Sequence, residues 1–390
     1  MRVNIVIEKL FLSCVFSVFY EVGSLIPLPF LYNIHILSSG AQNKVALFSG
    51  GNSSEITLFC LGIGPLICAQ MFFQIIQYVN SDLNNYFTQN KNGRKNKAIL
   101  MQLIVVSVSL IEAAFYLNSL NKEISGEARI RTALLLLLGT LVLNWLTEQW
   151  TKKAIGEGVS MIVFLGIINN FLLSFHLNNM SILDNGLSYD ALKLLIVFLF
   201  TCICVWGSQI NIRLKTSSLI SDVKESDNQN FIPLKINSTG VMPLVFVNVF
   251  FYTTNVVVSA THLNFLTKSS SILSTVIMLA VYCTILLVTT FSYTYLCLNP
   301  KLMQKNLRRS GVAIIGLSGG ALTERFVERL LKKLSFYNFI FLLIISIFSY
   351  LCSKILINSL VPISGSSILI SVIILSQALQ EFNSLKFKIS

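Results

Sequence analysis

Residues 269–300 read SSSILSTVIMLAVYCTILLVTTFSYTYLCLNP, a run without a single Asp, Glu, Lys or Arg. The preceding run, from Ile236 to Thr267, is equally free of these four residue types. A bilayer core of about 30 Å is crossed by roughly 20 apolar residues in helical form. The two runs therefore predict two membrane-spanning helices.

The composition of the whole chain agrees with this prediction. Of its 390 residues, 54% are hydrophobic and 12% are charged, and the mean hydropathy is +0.72. A soluble domain carries roughly 25% charged residues, so this chain has too few charges to cover a globular surface. The composition excludes a soluble enzyme, a disordered chain and a nucleic-acid-binding domain.

Largely uncharged stretches of sufficient length occur along the entire chain. Glu112 interrupts one of them, and the charged residues Arg129 and Arg131 lie at the start of the next. The ten predicted spans are about 9–29, 59–79, 98–118, 131–149, 158–176, 190–210, 240–260, 272–297, 336–354 and 364–384. We therefore predict an all-α protein that crosses the membrane ten times.

Basic residues are divided unevenly between alternate loops. With both termini inside, the inner segments hold 22 of the 29 Lys and Arg residues and the outer segments hold 7. Because basic residues collect in cytoplasmic loops, this division favours an even number of spans with both termini on the cytoplasmic side or its equivalent. The same bias accounts for most of the net charge of +12.

Two of the inner loops are long. Residues 210–237 form two short alternating arms around a polar tip, which is compatible with a β-hairpin. Residues 299–336 carry eight basic residues and end in TERFVERLLKKL, which predicts a helix with Thr323 as N-cap. The loops are interpreted either as a docking surface for a large charged partner or as the ordinary inner-side charge bias.

The chain lacks the usual signatures of catalysis and ion coupling. It contains no GxxxxGK[ST], HExxH or GxSxG motif, and mid-span charge is limited to Glu21 and Glu112. Its eight cysteines show no zinc-type or CxxC spacing and are interpreted as small apolar residues. We expect no catalytic residues, no metal and no cofactor, and therefore neither an enzyme nor an ion-coupled transporter. A solute facilitator stays open.

Six blocks of sequence, in order, resemble one known family. LFSGGNSSEITLFCLGIGPLICAQMFFQII, from Leu47, resembles the plug and second span of the SecY family, the channel subunit of the protein-conducting translocon. The other blocks are EVGSLIPLP (21–29), GTLVLNWLTEQWTKKAIGEGVSMIVFLGI (139–167), FIPLKINSTGVMPLVF (231–246), NPKLMQKNLRRSGVAIIGLSGGALTERFVERLLKKL (299–334) and ISGSSILISVIILSQALQEFNSL (363–385). The resemblance extends from Lys9 to Leu385.

The resemblance implies a clamshell of two pseudo-symmetric, inverted halves. They correspond here to residues 1–176, with spans one to five, and 190–390, with spans six to ten. Residues 177–189 are the hinge connection between them.

The resemblance also implies an apolar constriction at mid-membrane. All six matching positions are β-branched, and the pairs within the second and fifth spans are spaced i, i+4, on one helical face. They are Ile63, Ile67, Val163, Ile167, Val245 and Ile370. A narrow apolar ring dewets and blocks ions, yet it forms no hydrogen bonds that hold a passing polypeptide.

A plug and a lateral gate are the other implied parts of the channel. The plug covers about 45–57, where glycines and polar residues make a short, weakly held helix: Phe48, Ser49, Gly50, Gly51 and Asn52. The gate is assigned to prolines that permit a bend and to polar residues that hydrogen-bond across the seam: Pro65, Gln70, Pro243 and Asn248.

The long loops would dock the motor or the ribosome. Six cations are assigned to this role: Arg213, Lys215, Arg308, Arg309, Arg325 and Arg329. The chain departs from the family where Ser318 replaces the usual loop arginine and Gly319 the usual proline. Serine makes no bidentate charged contact, so docking is weaker here or another arginine replaces it.

The implied function is the pore-forming subunit of the Sec translocase, without enzymatic activity of its own. Its partners would be a SecE-like subunit, a SecG-like subunit, a SecA-like ATPase or a ribosome, and the translocating polypeptide. The alternatives are an accessory SecY dedicated to a narrow export substrate and a multi-span solute facilitator. Richness in Asn, Ile, Lys and Ser favours a plastid thylakoid membrane first and a bacterial plasma membrane second.

Overall fold

The computed structural model describes most of the chain. It covers residues 2–28, 57–80, 83, 86–87, 90–120, 126–178, 198–199, 201–218, 231–235, 242–250, 272–314, 321–355 and 365–387. Most of these residues are helical, and three short strands form a small sheet.

Helical residues occur in every one of the ten predicted spans. The helices are α1 (Arg2–Leu25), α2 (Gly64–Val79), α3 (Lys91–Leu120), α4 (Gly126–Lys153), α5 (Gly158–Asn178), α6 (201–208), α7 (242–250), α8 (Ile272–Cys297), α9 (Pro300–Arg309), α10 (Ala321–Ile355) and α11 (Gly365–Phe387). The strands are β1 (Asn211–Ser218), β2 (Phe231–Lys235) and β3 (Val312–Ile314).

Four of the described helical stretches are long and apolar enough to cross a membrane by length and composition: Asn92–Leu117, Gly126–Lys153, Leu279–Arg309 and Leu322–Phe348. The outer faces of the helices also expose large apolar side chains. In α1, for example, Phe11 is 67% exposed and Val18 is 61% exposed. A face of this kind is suited to lipid rather than to water.

The largest buried cluster lies where helices of the two predicted halves meet. It joins side chains of α1, α2, α4 and α5 to side chains of α7, α8, α10 and α11. Across this boundary α2 packs against α8, and α5 packs against α11. Elsewhere, Oε1 of Glu112 in α3 is buried without a hydrogen-bond partner among the described residues.

The predicted hairpin in residues 210–237 is confirmed. β1 and β2 pair antiparallel, with Ile212 opposite Leu234 and Leu214 opposite Ile232. Pro233 lies in β2, at the edge of the sheet, where its missing N–H breaks no ladder bond.

A third strand, which was not predicted, joins the two long loops. β3 pairs antiparallel with β1, with Thr216 opposite Ile314, so the strand order is β2-β1-β3. Beneath the sheet a small apolar cluster includes Leu214, Leu307 and Val327. We call the surface formed by β1–β3, α9 and residues 321–334 the loop face.

The helix predicted in TERFVERLLKKL is confirmed, but its boundaries differ from the prediction. It begins at Ala321 and continues without a break into the ninth span, as the 35-residue α10. Thr323 therefore lies inside the first turn and not at the N-cap. No Gly or Pro interrupts Ala321–Ile355, so nothing in the sequence ends the helix at the membrane surface.

Candidate functional site

The six residues assigned to the constriction are all buried, and all belong to the largest apolar cluster. Ile67 and Ile370 are 0% exposed, and Ile167, the most exposed of the six, reaches only 6%. Ile63 and Ile67 come from α2, Val163 and Ile167 from α5, Val245 from α7 and Ile370 from α11. Four elements, two from each predicted half, thus contribute to one apolar cluster.

The start of α2 fixes the relative positions of Ile63 and Ile67, the two constriction residues that it carries. Ile63 is the N-cap of the helix, and its carbonyl accepts a hydrogen bond of 3.0 Å from the backbone N–H of Ile67. The two side chains therefore lie one helical turn apart on the same face.

Residues 57–63 precede α2 and are held tightly against α1. The backbone N–H of Leu58 donates to the carbonyl of Ile26 at 3.0 Å, and Thr57 forms a β-bridge with Pro27. The ring of Phe59 stacks on that of Tyr20, with centroids 6.2 Å apart.

Two glycines permit this close approach. A Cβ on Gly23 of α1 would collide with the ring of Phe59, and a Cβ on Gly139 of α4 would collide with the carbonyl oxygen of Leu58. The segment that leads into Ile63 is therefore clamped between two helices.

The interpretation of Pro65 as a residue that bends its span is wrong. Pro65 lies in the first turn of α2, which begins at Gly64. The N–H groups of a first turn have no partner within the helix, so a proline there starts the helix without disturbing it. For Pro243 the bend stays a prediction, because the residues immediately before Met242 lie outside the described ranges. Both prolines are buried.

The polar residues assigned to the gate form no bond with each other in this structure. Gln70 is partly exposed, and Nδ2 of Asn248 is buried with no hydrogen-bond partner in the described part of the chain. Hydrogen bonding across the seam stays a prediction. The plug residues, Phe48 to Asn52, lie outside the described residues.

All six cations assigned to docking belong to the loop face, and five of them are described as exposed. Lys215, Arg308, Arg309, Arg325 and Arg329 are exposed. Arg213 lies in β1 opposite Pro233, and Ser318 lies outside the described residues. β3 pairs with β1, so the two long loops present these cations on one continuous surface.

One contact of the two halves was not predicted from the sequence. It involves the turn between α4 and α5, where Gly156 has a φ of +86°. The backbone N–H of Gly156 donates to Oε2 of Glu381, in α11, at 2.8 Å. Nε1 of Trp150 donates to the carbonyl of Ile155 at 2.9 Å and stabilises the same turn.

Comparison with known proteins identifies the family. The model of the SecY family matches residues 57–379, which is most of the chain. The chain belongs to the SecY family. The matched range contains every described element from α2 to α10 and residues 365–379 of α11.

Curated SecY relatives match over nearly their whole length. The protein translocase subunit SecY of Staphylococcus aureus (strain NCTC 8325) is 26% identical over 421 aligned positions, covering 100% of this chain and 96% of the relative. That of Staphylococcus carnosus (strain TM300) is 26% identical over 413 positions, covering 98% and 94%. These names favour a channel over a solute facilitator.

Solved structures confirm the predicted fold. "The structure of a protein conducting channel" matches with a TM-score of 0.72 at 18% identity, covering 98% of this chain and 93% of that one. "Sec61 in the Canine ribosome-channel complex from the endoplasmic reticulum" matches with a TM-score of 0.67 at 16% identity, with the same coverage. The chain is an all-α polytopic membrane protein with the SecY fold of ten membrane helices in two halves.

Proposed function

We propose that this SecY-family chain is the pore-forming subunit of a Sec protein translocase, which passes unfolded polypeptides across the membrane. The observation that carries the proposal is the burial of six β-branched residues from four helices, two in each half, in one apolar cluster. In the closed state such a cluster excludes water and ions. When the halves separate, the same residues make an apolar ring around the polypeptide.

Because the proposed constriction lacks polar groups, it excludes hydrated ions but does not select among polypeptides. Ile67 and Ile370 present only hydrocarbon, so a hydrated ion that enters loses water and gains no ligand. A polypeptide in transit meets no donor or acceptor that binds one side chain better than another. The ring therefore suits many substrates, which is what a general export channel requires.

The plug and the lateral gate complete the proposed mechanism. Residues 45–57 would fill the outer side of the closed ring, and the clamped segment 57–63 would anchor that plug at its C-terminal end. α2 and α8 pack against each other across the boundary of the halves. Separation of α2 from α7, the two helices that carry the assigned gate residues, and from α8 would open a path to lipid for hydrophobic segments of the substrate.

The chain supplies no energy source, so we propose that a SecA-like ATPase or a ribosome drives transport. The exposed cations of the loop face would dock that partner, with Arg308, Arg309, Arg325 and Arg329 compensating for Ser318. A SecE-like subunit would hold the two halves together at the hinge, residues 177–189, and a SecG-like subunit would be a further partner.

We propose that both termini lie on the cytoplasmic or stromal side, because that side holds most of the basic residues. A plastid thylakoid membrane is our first proposal for the compartment. The bacterial relatives make a plasma membrane the alternative.

The test is reconstitution of the chain with SecE-like and SecA-like partners in vesicles. Protection of a signal-bearing precursor from added protease would be scored with and without ATP. We expect ATP-dependent protection by the wild-type chain, and in the Ile67→Asn variant a relaxed requirement for the signal. Absence of protection with any motor, together with saturable uptake of a small solute, would refute the proposal.

Docking is tested separately by binding of the SecA-like ATPase or the ribosome. The Arg325→Gln/Arg329→Gln variant should bind more weakly and with a smaller salt dependence, because two exposed cations of the loop face are lost. Arg131→Gln is the matched control, since Arg131 is an exposed cation on the predicted outer side that pairs with Glu127 at 3.3 Å.

A further inference from the structure

A cavity of about 800 Å³ lies at one end of the seam between α2 and α8. Its walls come from the end of α2, the end of α8 with the start of α9, and residues 328–337 of α10. One wall therefore belongs to the first predicted half and the others to the second. The six residues of the constriction do not line it.

The cavity lies at the predicted inner surface of the membrane. α2 ends at Val79 and α8 ends at Cys297, while α10 enters its apolar stretch beyond Ser335. Val79 is 79% exposed, and Phe336 and Tyr337 on the opposite wall are also exposed. Aromatic and apolar side chains at this level are typical of the boundary between headgroups and acyl chains.

Three lysines surround the opening of the cavity. Lys332 pairs with Glu328 at 3.0 Å. Lys301 and Lys333 are exposed, and neither pairs with a carboxylate among the described residues. Within the described part of the chain, the opening thus carries two positive charges without a paired carboxylate.

Gln77, which lines the inner wall, has a hydrogen-bond donor without an acceptor among the described residues. Gln77 is only 6% exposed, and its Nε2 is buried with no hydrogen-bond partner within the described ranges. A buried amide donor without a partner is energetically unfavourable, and an oxygen-rich ligand removes the penalty.

We propose that this cavity binds the phosphate headgroup of an anionic phospholipid. Lys301 and Lys333 neutralise the phosphate, Gln77 donates to one of its oxygens, and the acyl chains run along Val79 and Phe336 into the membrane. The bound lipid bridges α2 to α8 and α10 and so favours the closed seam. The site rests on the fold and the cavity, and does not depend on the proposed transport function.

The probe is phosphatidylglycerol, titrated into the purified full-length chain in a neutral detergent. Phosphatidylcholine with the same acyl chains is the lipid control, and inorganic phosphate is the control for a free anion. The readout is the thermal midpoint of unfolding, followed by tryptophan fluorescence. We expect a saturable rise with phosphatidylglycerol and none with the other two ligands.

Two variants test the residues that form the site. Lys301→Gln/Lys333→Gln should weaken phosphatidylglycerol binding by about 30-fold, since each lysine near an anionic headgroup contributes about 1 kcal/mol. Gln77→Leu keeps the volume but removes the donor. It should lower the affinity, while the midpoint in the absence of lipid stays unchanged or rises, because the unpartnered buried donor is gone. The charge-matched control is Lys153→Gln/Lys305→Gln, because both lysines are exposed and neither lines the cavity.

Loss of binding in both variants, with the control unchanged, supports the site. Equal phosphatidylglycerol affinity in all proteins overturns it, as does an equal response to phosphatidylcholine. A response to inorganic phosphate alone would make the cavity a free-anion site and overturn the lipid assignment. If phosphatidylglycerol does not bind but a signal peptide binds saturably, the cavity is a polypeptide site. That result would overturn the lipid assignment as well.

Discussion

Oε2 of Glu381 in α11 accepts a hydrogen bond from the backbone N–H of Gly156, with the two atoms 2.8 Å apart. Gly156 lies in the turn between the last two helices of the first half, and Glu381 near the end of the last helix of the second half. The bond therefore ties together two elements that are separated by 225 positions in sequence.

Removing the Glu381 carboxylate should loosen this connection. We expect Glu381→Met to lower the free energy of unfolding by about 1–2 kcal/mol, because the charged acceptor of a backbone N–H is lost. The measurement is thermal unfolding of the purified chain in detergent. The control is Glu148→Met, which removes only an exposed pair with Lys152 at 3.5 Å and should change the midpoint little. Equal shifts would show that the Gly156 bond has no special role.

A polar residue in the constriction should let ions through. Ile370→Asn places an amide among the buried side chains, so water enters more readily and the closed channel conducts. Leu375→Asn is the matched control, since Leu375 lies in the same helix but is 44% exposed on the outer face. We expect ion leak across planar bilayers with Ile370→Asn and not with Leu375→Asn. A leak of equal size in both variants would argue for general disruption instead.

Gly139 should not tolerate even a methyl group. Its Cβ would overlap the carbonyl oxygen of Leu58, so Gly139→Ala must displace the segment that leads into Ile63. Overpacking of this kind costs about 1–3 kcal/mol. Gly126→Ala, in the same helix, meets no heavy atom within 4 Å and should be neutral or slightly stabilising. The measurement is the thermal unfolding of both variants. If Gly139→Ala unfolds at the wild-type temperature, the prediction is wrong.

Shortening the side chain of Val327 should weaken the protection of backbone amides in β1 and β2, which are distant from it in sequence. Val327 is 2% exposed in the apolar cluster beneath the sheet, whereas its neighbour Phe326 is 36% exposed. Val327→Ala leaves a cavity under β1 and β2 and should increase amide hydrogen exchange in both strands. Phe326→Ala is the control and should change exchange only locally. Unchanged exchange in residues 211–218 would contradict the proposed support.

The features predicted from sequence are those with a local signal. Uncharged runs and the alternation of Lys and Arg indicated ten spans, and helical residues occur in all of them. The alternating arms around 210–237 indicated a hairpin, and β1 and β2 form it. The constriction came from the family resemblance, because Ile and Val alone do not distinguish a pore from any other buried helix face.

The features that sequence did not predict depend on distant partners. β3 has only three residues, and its pairing requires β1, about a hundred residues earlier in the chain. The carboxylate of Glu381 resembles any surface acid until the turn at Gly156 lies beside it. Pro65 was interpreted as a bend because span boundaries were drawn from hydropathy, which does not show that the helix begins at Gly64.

The unbroken course of α10 has a mechanical consequence. At about 1.5 Å per residue, its 35 residues form a rod of roughly 50 Å from the loop face through the membrane. A tilt of about 5° at the loop-face end would move the far end by roughly 4 Å over that length. A partner that docked on the sheet as proposed would therefore push on a lever arm, and work done outside the membrane would become displacement at the opposite surface without any change within the helix itself.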